Sequence, residues 1–135
     1  MQFIKDGCTR LLVTDIVERT LHETVELAKE VNSTIQIEVV VGDLTSEEFV
    51  EELLSEVVKS FGGLNYAVNA AGISGKSLAT DEMEFEEYRV VQRTNMEALW
   101  FCERAEIRVM LEQDLVDGYV SINFIVNSIV FGDLL

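Results

Sequence analysis

The chain has 135 residues, 48% of them hydrophobic and 26% charged, with 25 acidic against 10 basic side chains and a net charge of −15. This composition is typical of a globular protein, and the length suffices for one domain. The acidic balance argues against nucleic acid or an anionic membrane as a partner, because like charges repel. No apolar run has the length of a membrane span or a signal peptide, so a cytoplasmic protein is the default expectation.

The few cysteine and histidine residues predict no metal site. Cys8 and Cys102 are far apart in the chain and have no Cys/His cluster beside them, which indicates neither a disulfide framework nor a zinc site. The sole histidine, His22, lies among Thr and Glu residues on a predicted helix, and we interpret it as a surface residue.

Strands and helices alternate through the first half of the chain. Residues 1–7 are typical of the last turn of a helix closed by Gly7. Residues 10–15, Arg-Leu-Leu-Val-Thr-Asp, form a short apolar run that predicts a buried strand. The apolar spacing of residues 17–31 predicts an amphipathic helix, and the Ile/Val-rich residues 34–41 predict a second strand.

The helix after this second strand has the clearest pattern in the sequence. Thr45 with Glu48 forms a capping box, in which Thr45 is the predicted cap. Apolar residues then recur every three or four positions from Phe49 to Phe61, and Gly62 follows them. The pattern predicts a helix that packs one face on the core and stops at the glycine pair.

Residues 64–72 are an apolar run that ends abruptly in small and polar residues. A buried parallel strand has this pattern when it carries a ligand at its carboxyl end. Asn69 has an amide that can bridge neighbouring backbone groups, whereas Ala70, Ala71 and Gly72 leave room for a flat ligand to approach the main chain. The alternative is a plain strand followed by a turn of small residues.

The rest of the chain continues the alternation. Asp81 with Glu84 can cap a helical region that runs to about residue 114, with a possible break at residues 87–91. Asp117-Gly118 predicts a turn, and residues 119–131 are apolar and β-branched like a strand. The order predicts an α/β fold, a Rossmann-like doubly wound parallel sheet, over one domain of residues 1–135.

Four landmarks in this order resemble the short-chain dehydrogenase/reductase family, in its classical form. Asn69-Ala70-Ala71-Gly72 is similar to the Asn-Asn/Ala-Ala-Gly motif after the family's fourth strand. Asp43-Leu44 is similar to the acid and apolar pair that lies beside the adenine ring. Asp15 stands where the family's second strand ends, and Asn95 matches the helix asparagine of the catalytic tetrad.

The resemblance implies an NAD(P)-dependent oxidoreductase acting on a hydroxyl or carbonyl of a small-molecule substrate. Asp15 would bind the adenosine ribose and favour NAD over NADP, because its carboxylate repels the extra phosphate. Asp43, Leu44 and the 69–72 motif would bind the cofactor, and Asn95 would be catalytic. The alternatives are a helix-capping acid at Asp15, a turn acid at Asp43 and a solvent-facing amide at Asn95.

The sequence also departs from the family pattern. No Thr-Gly-x-x-x-Gly-x-Gly turn is present to cradle a pyrophosphate. The catalytic Tyr-x-x-x-Lys is absent, because Ala70, Gln92 and Asn123 follow the three tyrosines at that spacing. No serine aligns with the family's catalytic serine. We therefore expect an incomplete fold that lacks the first strand and the C-terminal part, with weak or no cofactor binding and no catalysis of its own.

The alternative class is a non-enzymatic interaction protein or a truncated product without function. Such a protein would dock through the helix at residues 96–110, where Leu99, Trp100 and Ile107 would be exposed, and this helix could also form a homo-oligomer.

In the family's sheet the missing first strand is central. We therefore expect either a gap between the strands at residues 10–15 and 64–69 or their direct pairing, with unpaired ladder groups and a marginally stable domain.

Overall fold

The computed structural model describes residues 1–113 and the backbone of the strand Asn123–Asn127. Four parallel strands form one sheet in the order β2-β1-β4-β3. The strands are β1 (Arg10–Asp15), β2 (Gln36–Val41), β3 (Tyr66–Val68) and β4 (Asn123–Asn127). The helices are α1 (Gln2–Lys5), α2 (Glu18–Val31), α3 (Glu47–Phe61), α4 (Phe85–Gln92), the π-helical segment Arg93–Glu97 and α5 (Ala98–Glu112). The predicted α/β fold with an incomplete parallel sheet is confirmed.

Helices cover both faces of the sheet. On one face α3 and α5 pack over Leu12 and Leu64, and on the other α1 and α2 pack over Leu11 and Val13. Successive residues of β1 thus point into opposite cores, as the period of a strand requires. Burial on both sides explains why β1 is a continuous apolar run rather than an alternating one.

The expected gap, or direct pairing of its neighbours, at the centre of the sheet is wrong. β4 lies between β1 and β3, where it pairs Asn127 with Thr14 and Val126 with Val68. This is the position that the first strand has in the dinucleotide-binding order 3-2-1-4-5-6. A central strand pairs with neighbours on both sides. β4 therefore gives hydrogen-bond partners to backbone groups of β1 and β3 that a vacancy would have left unpaired. The reason we gave for marginal stability therefore no longer holds.

Two details of the predicted helices also need correction. Ser46, not Thr45, caps α3, because its Oγ accepts the Phe49 N–H at 3.3 Å. The Thr45 N–H instead donates to Asp43 Oδ1 at 2.9 Å, so the turn occupies Thr45 and the helix begins one residue later. At the other end Gly62 has φ of 80°, which agrees with the predicted stop.

The helical region after residue 80 is continuous from Phe85 to Glu112 and has no side-chain cap at Asp81 or Glu84. We expected a break at residues 87–91, but the α-helix is continuous there. The irregularity lies further along, as a π-helical segment at Arg93–Glu97. The strand before this region is shorter than predicted, since residues 69–73 have no ladder partner and run as irregular chain. No helix in the described part of the chain is long and apolar enough to cross a membrane.

Two side-chain amides fasten the β3 region to the helices. Gln113, at the end of α5, accepts the Leu64 N–H at 2.9 Å and donates to the Leu64 carbonyl at 2.7 Å. Asn95 makes the same pair of bonds to the main chain of Ile73, at 2.8 and 2.9 Å. β3 has only three residues, and these bonds fix the main chain before it at Leu64 and after it at Ile73. The bonds at Ile73 hold the irregular chain at residues 69–73 in place.

Candidate functional site

A cleft of about 330 Å³ opens at the carboxyl ends of β1, β2 and β3. Parallel α/β sheets bind ligands at this edge. The lining residues come from the strand ends, the turn before α3, the chain after β3 and the helices α4 to α5. They are Thr14, Asp15, Ile16, Gly42, Asp43, Leu44, Thr45, Ala71, Gly72, Ile73, Val90, Arg93, Thr94 and Ala98.

Asp15 ends β1 and is only 6% exposed. Its Oδ1 accepts the Val17 N–H at 2.8 Å, at the residue that precedes α2. One carboxylate oxygen therefore holds the turn before α2, but it does not cap the helix, whose N-cap residue is Val17 with no side-chain cap bond, so the helix-capping alternative is wrong. Since Asp15 also lines the cleft, its second oxygen is in a position to accept a hydrogen bond from a ligand.

Asp43 and Leu44 follow β2 at the next strand end. The Asp43 carboxylate accepts the Thr45 N–H, and the side chain is exposed to solvent. Leu44 is 8% exposed and belongs to the core under α3, so it gives the cleft an apolar wall. Gly42 precedes them because the Phe49 ring packs there: a Cβ at Gly42 would lie 2.1 Å from the ring.

The predicted motif after β3 is divided between the cleft and the interior. Ala71 and Gly72 line the cleft, whereas Asn69 and Ala70 do not. The Asn69 amide donates to Glu106 Oε2 of α5 at 2.9 Å, which ties the motif to that helix.

Glu106 was missed by the sequence analysis. It is 5% exposed although α5 is a helix with several exposed acids. Burial raises the pKa of its carboxyl above the ordinary value, and the hydrogen bond from Asn69 partly offsets this rise. Helical spacing is the signal that could have found it, because Glu106 lies four residues after Cys102 and eight after Ala98, on the buried face of α5, whereas Glu103 is exposed.

Asn95 is half-buried on the π-helical segment and does not line the cleft. Its amide oxygen accepts the N–H of Ile73 and its amide nitrogen donates to the Ile73 carbonyl, and Ile73 does line the cleft. The close approach also involves Gly72, where a Cβ would lie 3.3 Å from Asn95 Oδ1. Asn95 thus shapes the wall of the cleft through the backbone, and the solvent-facing alternative is wrong.

The histidine and the two cysteines lie away from the cleft. His22 is exposed on α2, 3.6 Å from a Glu18 oxygen. Cys8 and Cys102 are buried and form no disulfide within the described residues, and burial raises the pKa of Cys8. Within residues 1–113, where side chains are described, no group of three or more His, Cys, Asp or Glu residues is arranged to hold a metal ion.

Comparison with known proteins places this architecture in a family. The family model described as enoyl-(acyl carrier protein) reductase matches residues 1–133. A chanoclavine-I dehydrogenase of Penicillium roqueforti is 33% identical over 109 residues, which are 77% of this chain and 42% of that protein. The crystal structure of a short chain dehydrogenase from Mycobacterium smegmatis shares 29% identity, with a TM-score of 0.68 over 86% of this chain and 45% of that one.

The fold is also that of a short chain dehydrogenase from Shigella flexneri solved in complex with NADP, with a TM-score of 0.71 at 21% identity over 84% of this chain and 47% of that one. The chain belongs to the short-chain dehydrogenase/reductase family, which confirms the resemblance found in the sequence. It spans about two-fifths of the length of the curated relative from P. roqueforti.

Proposed function

We propose that this chain forms the adenosine-binding side of an NAD(P)-dependent oxidoreductase that acts on a hydroxyl or carbonyl group. The observation that carries the proposal is the cleft, which collects Asp15, Asp43, Leu44 and Ala71 from three separate strand ends. A carboxylate near an apolar wall suits a ribose joined to a flat base, because the hydroxyls need acceptors and the base needs apolar contact.

The residues present fit the adenosine half of the cofactor. Asp15 would bind the ribose hydroxyls through the carboxylate oxygen that the turn leaves available. Asp43 and Leu44 would hold the base, with Ala71 and Gly72 leaving space beside it. The buried carboxylate of Asp15 repels a 2′-phosphate, so we propose NAD rather than NADP as the preferred dinucleotide.

The nicotinamide half has fewer contacts in this sequence. Nicotinamide supplies hydride exchange when the cofactor is bound. Within this chain Asn95 acts as a positioning residue, because it fixes the Ile73 backbone at the cleft. No tyrosine has a lysine four residues later, and no Thr-Gly-x-x-x-Gly-x-Gly turn is present. We therefore propose that the 135-residue chain binds adenosine ligands weakly and does not catalyse the reaction alone.

Calorimetric titration with AMP, NAD and NADP tests the binding proposal. We expect AMP and NAD to bind with similar, weak affinity, since both use the adenosine contacts, and NADP to bind less tightly. Micromolar affinity for NADP would show that Asp15 does not contact the ribose. Absence of AMP binding at millimolar concentration would refute the proposed function.

An absorbance assay for NAD(P)H with secondary alcohols and ketones tests the catalytic proposal. General acid/base assistance contributes about 10²–10⁴-fold, and positioning of the reactants about 7–11 kcal/mol. A chain without the tyrosine, the lysine and the glycine-rich turn should show no turnover above background. Turnover that Asn95→Ala or Ser128→Ala abolishes would overturn this proposal.

A second candidate function is docking through the exposed side of the helix at residues 96–110. Trp100 and Ile107 are each more than half exposed, as expected, and so is Met96, whereas Leu99 is half-buried, contrary to the expectation. Exposed apolar residues on one helix favour association with another protein surface, including a second copy of the chain. Light scattering of the wild type and of Ile107→Lys tests self-association: the wild type should form a dimer or larger assembly that the variant does not.

A further inference from the structure

Arg93 brings a positive charge into the cleft, although the sequence analysis assigned it no role. It lies on the π-helical segment between α4 and α5. Of the cleft-lining residues that the structure describes, it is the one basic side chain, and it shares the cleft with Asp15 and Asp43. The chain is rich in acids, with a net charge of −15, so an arginine in the cleft would ordinarily be expected to form an ion pair with one of them.

The described contacts use few of the N–H groups of the Arg93 guanidinium. Its one described hydrogen bond runs from Nη2 to the Thr45 carbonyl at 3.4 Å, a long and weak contact. None of the described carboxylates lies within ion-pair distance of it. The side chain is exposed and reaches from the helical wall to the turn that follows Leu44.

The position of this guanidinium favours contact with a base over contact with a phosphate. It lies at the Asp43–Thr45 turn, where the proposed function places the adenine ring. Two carboxylates line the same cleft and would repel a phosphate bound there. A purine face is uncharged, and a planar, weakly hydrated guanidinium stacks on aromatic rings.

We propose that Arg93 is a specificity-determining residue that covers the purine base of the ligand by stacking its guanidinium on the ring. This inference rests on the proposed function, since it assumes that an adenosine group enters the cleft. It adds a contact from the helical wall to a base that is otherwise held only by residues of the strand ends.

Arg89 provides a matched control on the same helical region. It lies one turn before Arg93, and its guanidinium carbon stands 4.8 Å from the centre of the Phe85 ring. Arg89 is solvent-exposed and does not line the cleft. Replacement of either arginine by lysine keeps the positive charge and removes the planar group, so the two variants differ in location alone.

The test is an NMR titration of the full chain and of Arg93→Lys, Arg93→Gln and Arg89→Lys with AMP, ribose 5-phosphate and 2′,5′-ADP. We expect Arg93→Gln to bind AMP about 3- to 30-fold more weakly than the wild type, the range of a cation–π contact, and Arg93→Lys to fall between the two, because lysine keeps the cation but loses the planar stacking surface. Ribose 5-phosphate, which has no base, should bind all four proteins equally. Arg89→Lys should bind AMP like the wild type, and equal thermal melts confirm that the variants are folded.

Three results would overturn the inference. If Arg93→Lys and the wild type bind AMP equally, Arg93 does not stack on the base, although the proposed function stands. If Arg93→Lys retains affinity while Arg93→Gln loses it most strongly for 2′,5′-ADP, the arginine pairs with a phosphate. If the wild type binds no AMP, the proposed function fails and the inference fails with it.

Discussion

The ends of β1 and β2 use the same local chemistry in different surroundings. Each strand ends near an aspartate whose carboxylate accepts the N–H two residues ahead, at 2.8 Å for Asp15 with Val17 and 2.9 Å for Asp43 with Thr45. Asp15 is 6% exposed, whereas Asp43 is open to solvent. Burial makes the first bond harder to replace with water, so the two aspartates should differ both in stability and in ligand binding.

The comparison shows why a shared turn does not imply a shared role. A buried carboxylate keeps a strong field because little water screens it, which is the reason we propose that Asp15 discriminates between a ribose hydroxyl and a 2′-phosphate. The exposed carboxylate of Asp43 is screened, so it holds the turn beside the proposed base site but should not discriminate between a ribose hydroxyl and a 2′-phosphate. Four predictions test this difference, from the largest expected effect to the smallest.

Gly42→Ala should have the largest effect on stability at the end of β2. The new Cβ would lie 2.1 Å from the Phe49 ring, which must move out of the core. We expect a loss of about 1–3 kcal/mol in the free energy of unfolding, measured by urea denaturation. The matched control is the same change in a Phe49→Leu background. An equal loss in both backgrounds would show that the ring is not the cause.

Asp15→Ala should cost about 1–2 kcal/mol in unfolding free energy, because the Val17 N–H loses its acceptor and the buried Asp15 side of the bond is poorly accessible to water. Asp15→Asn keeps an acceptor oxygen and removes the charge, so it should be close to wild type in stability. By calorimetry the Asn variant should lose the preference for NAD over NADP. A preference that persists in Asp15→Asn would contradict the role of the carboxylate.

Asp43→Ala should destabilise the chain by at most about 1 kcal/mol in the same denaturation experiment. Water can replace the lost acceptor of the Thr45 N–H, since Asp43 is exposed. The ratio of NAD to NADP affinity should stay unchanged. A loss as large as that of Asp15→Ala would show that burial does not separate the two strand ends.

Glu106, beside the end of β3, extends the comparison to a buried acid that bonds a side chain. Burial raises its pKa, so the folded state binds a proton more readily than the unfolded state. Stability from this proton is present below the unfolded pKa and is lost as the pH rises through the raised folded pKa. Glu106→Gln keeps an acceptor for Asn69 and carries no charge.

We therefore expect Glu106→Gln to melt at a higher temperature than the wild type at pH 7, with the difference shrinking toward zero below the ordinary glutamate pKa. Thermal melts at several pH values measure it. Exposed Glu103→Gln is the control and should show no such trend. A constant difference between Glu106→Gln and wild type at all pH values would contradict the assignment.

The local sequence predicted the elements between residues 10 and 63 closely. The apolar run of β1 and the three- and four-residue spacing of α3 each determine a structure within one segment, as does the glycine at residue 62. These elements depend on backbone geometry and short-range packing, which a sequence displays directly. The family resemblance, rather than local spacing, placed Asp15, Asp43, Leu44, Ala71 and Gly72 at one site. All five line the cleft, whereas the predicted site residues Asn69, Ala70 and Asn95 do not.

Tertiary structure alone decided which strands are neighbours and which side chains meet. An apolar strand pattern at residues 119–131 predicts burial but not a partner, so it could not show that β4 lies between β1 and β3. The bonds of Asn69 to Glu106, Asn95 to Ile73 and Gln113 to Leu64 join residues 22 to 49 positions apart. Such contacts depend on how helices and strands pack in space, so the sequence by itself did not determine them. The elements themselves depend on local spacing, so the sequence did determine those.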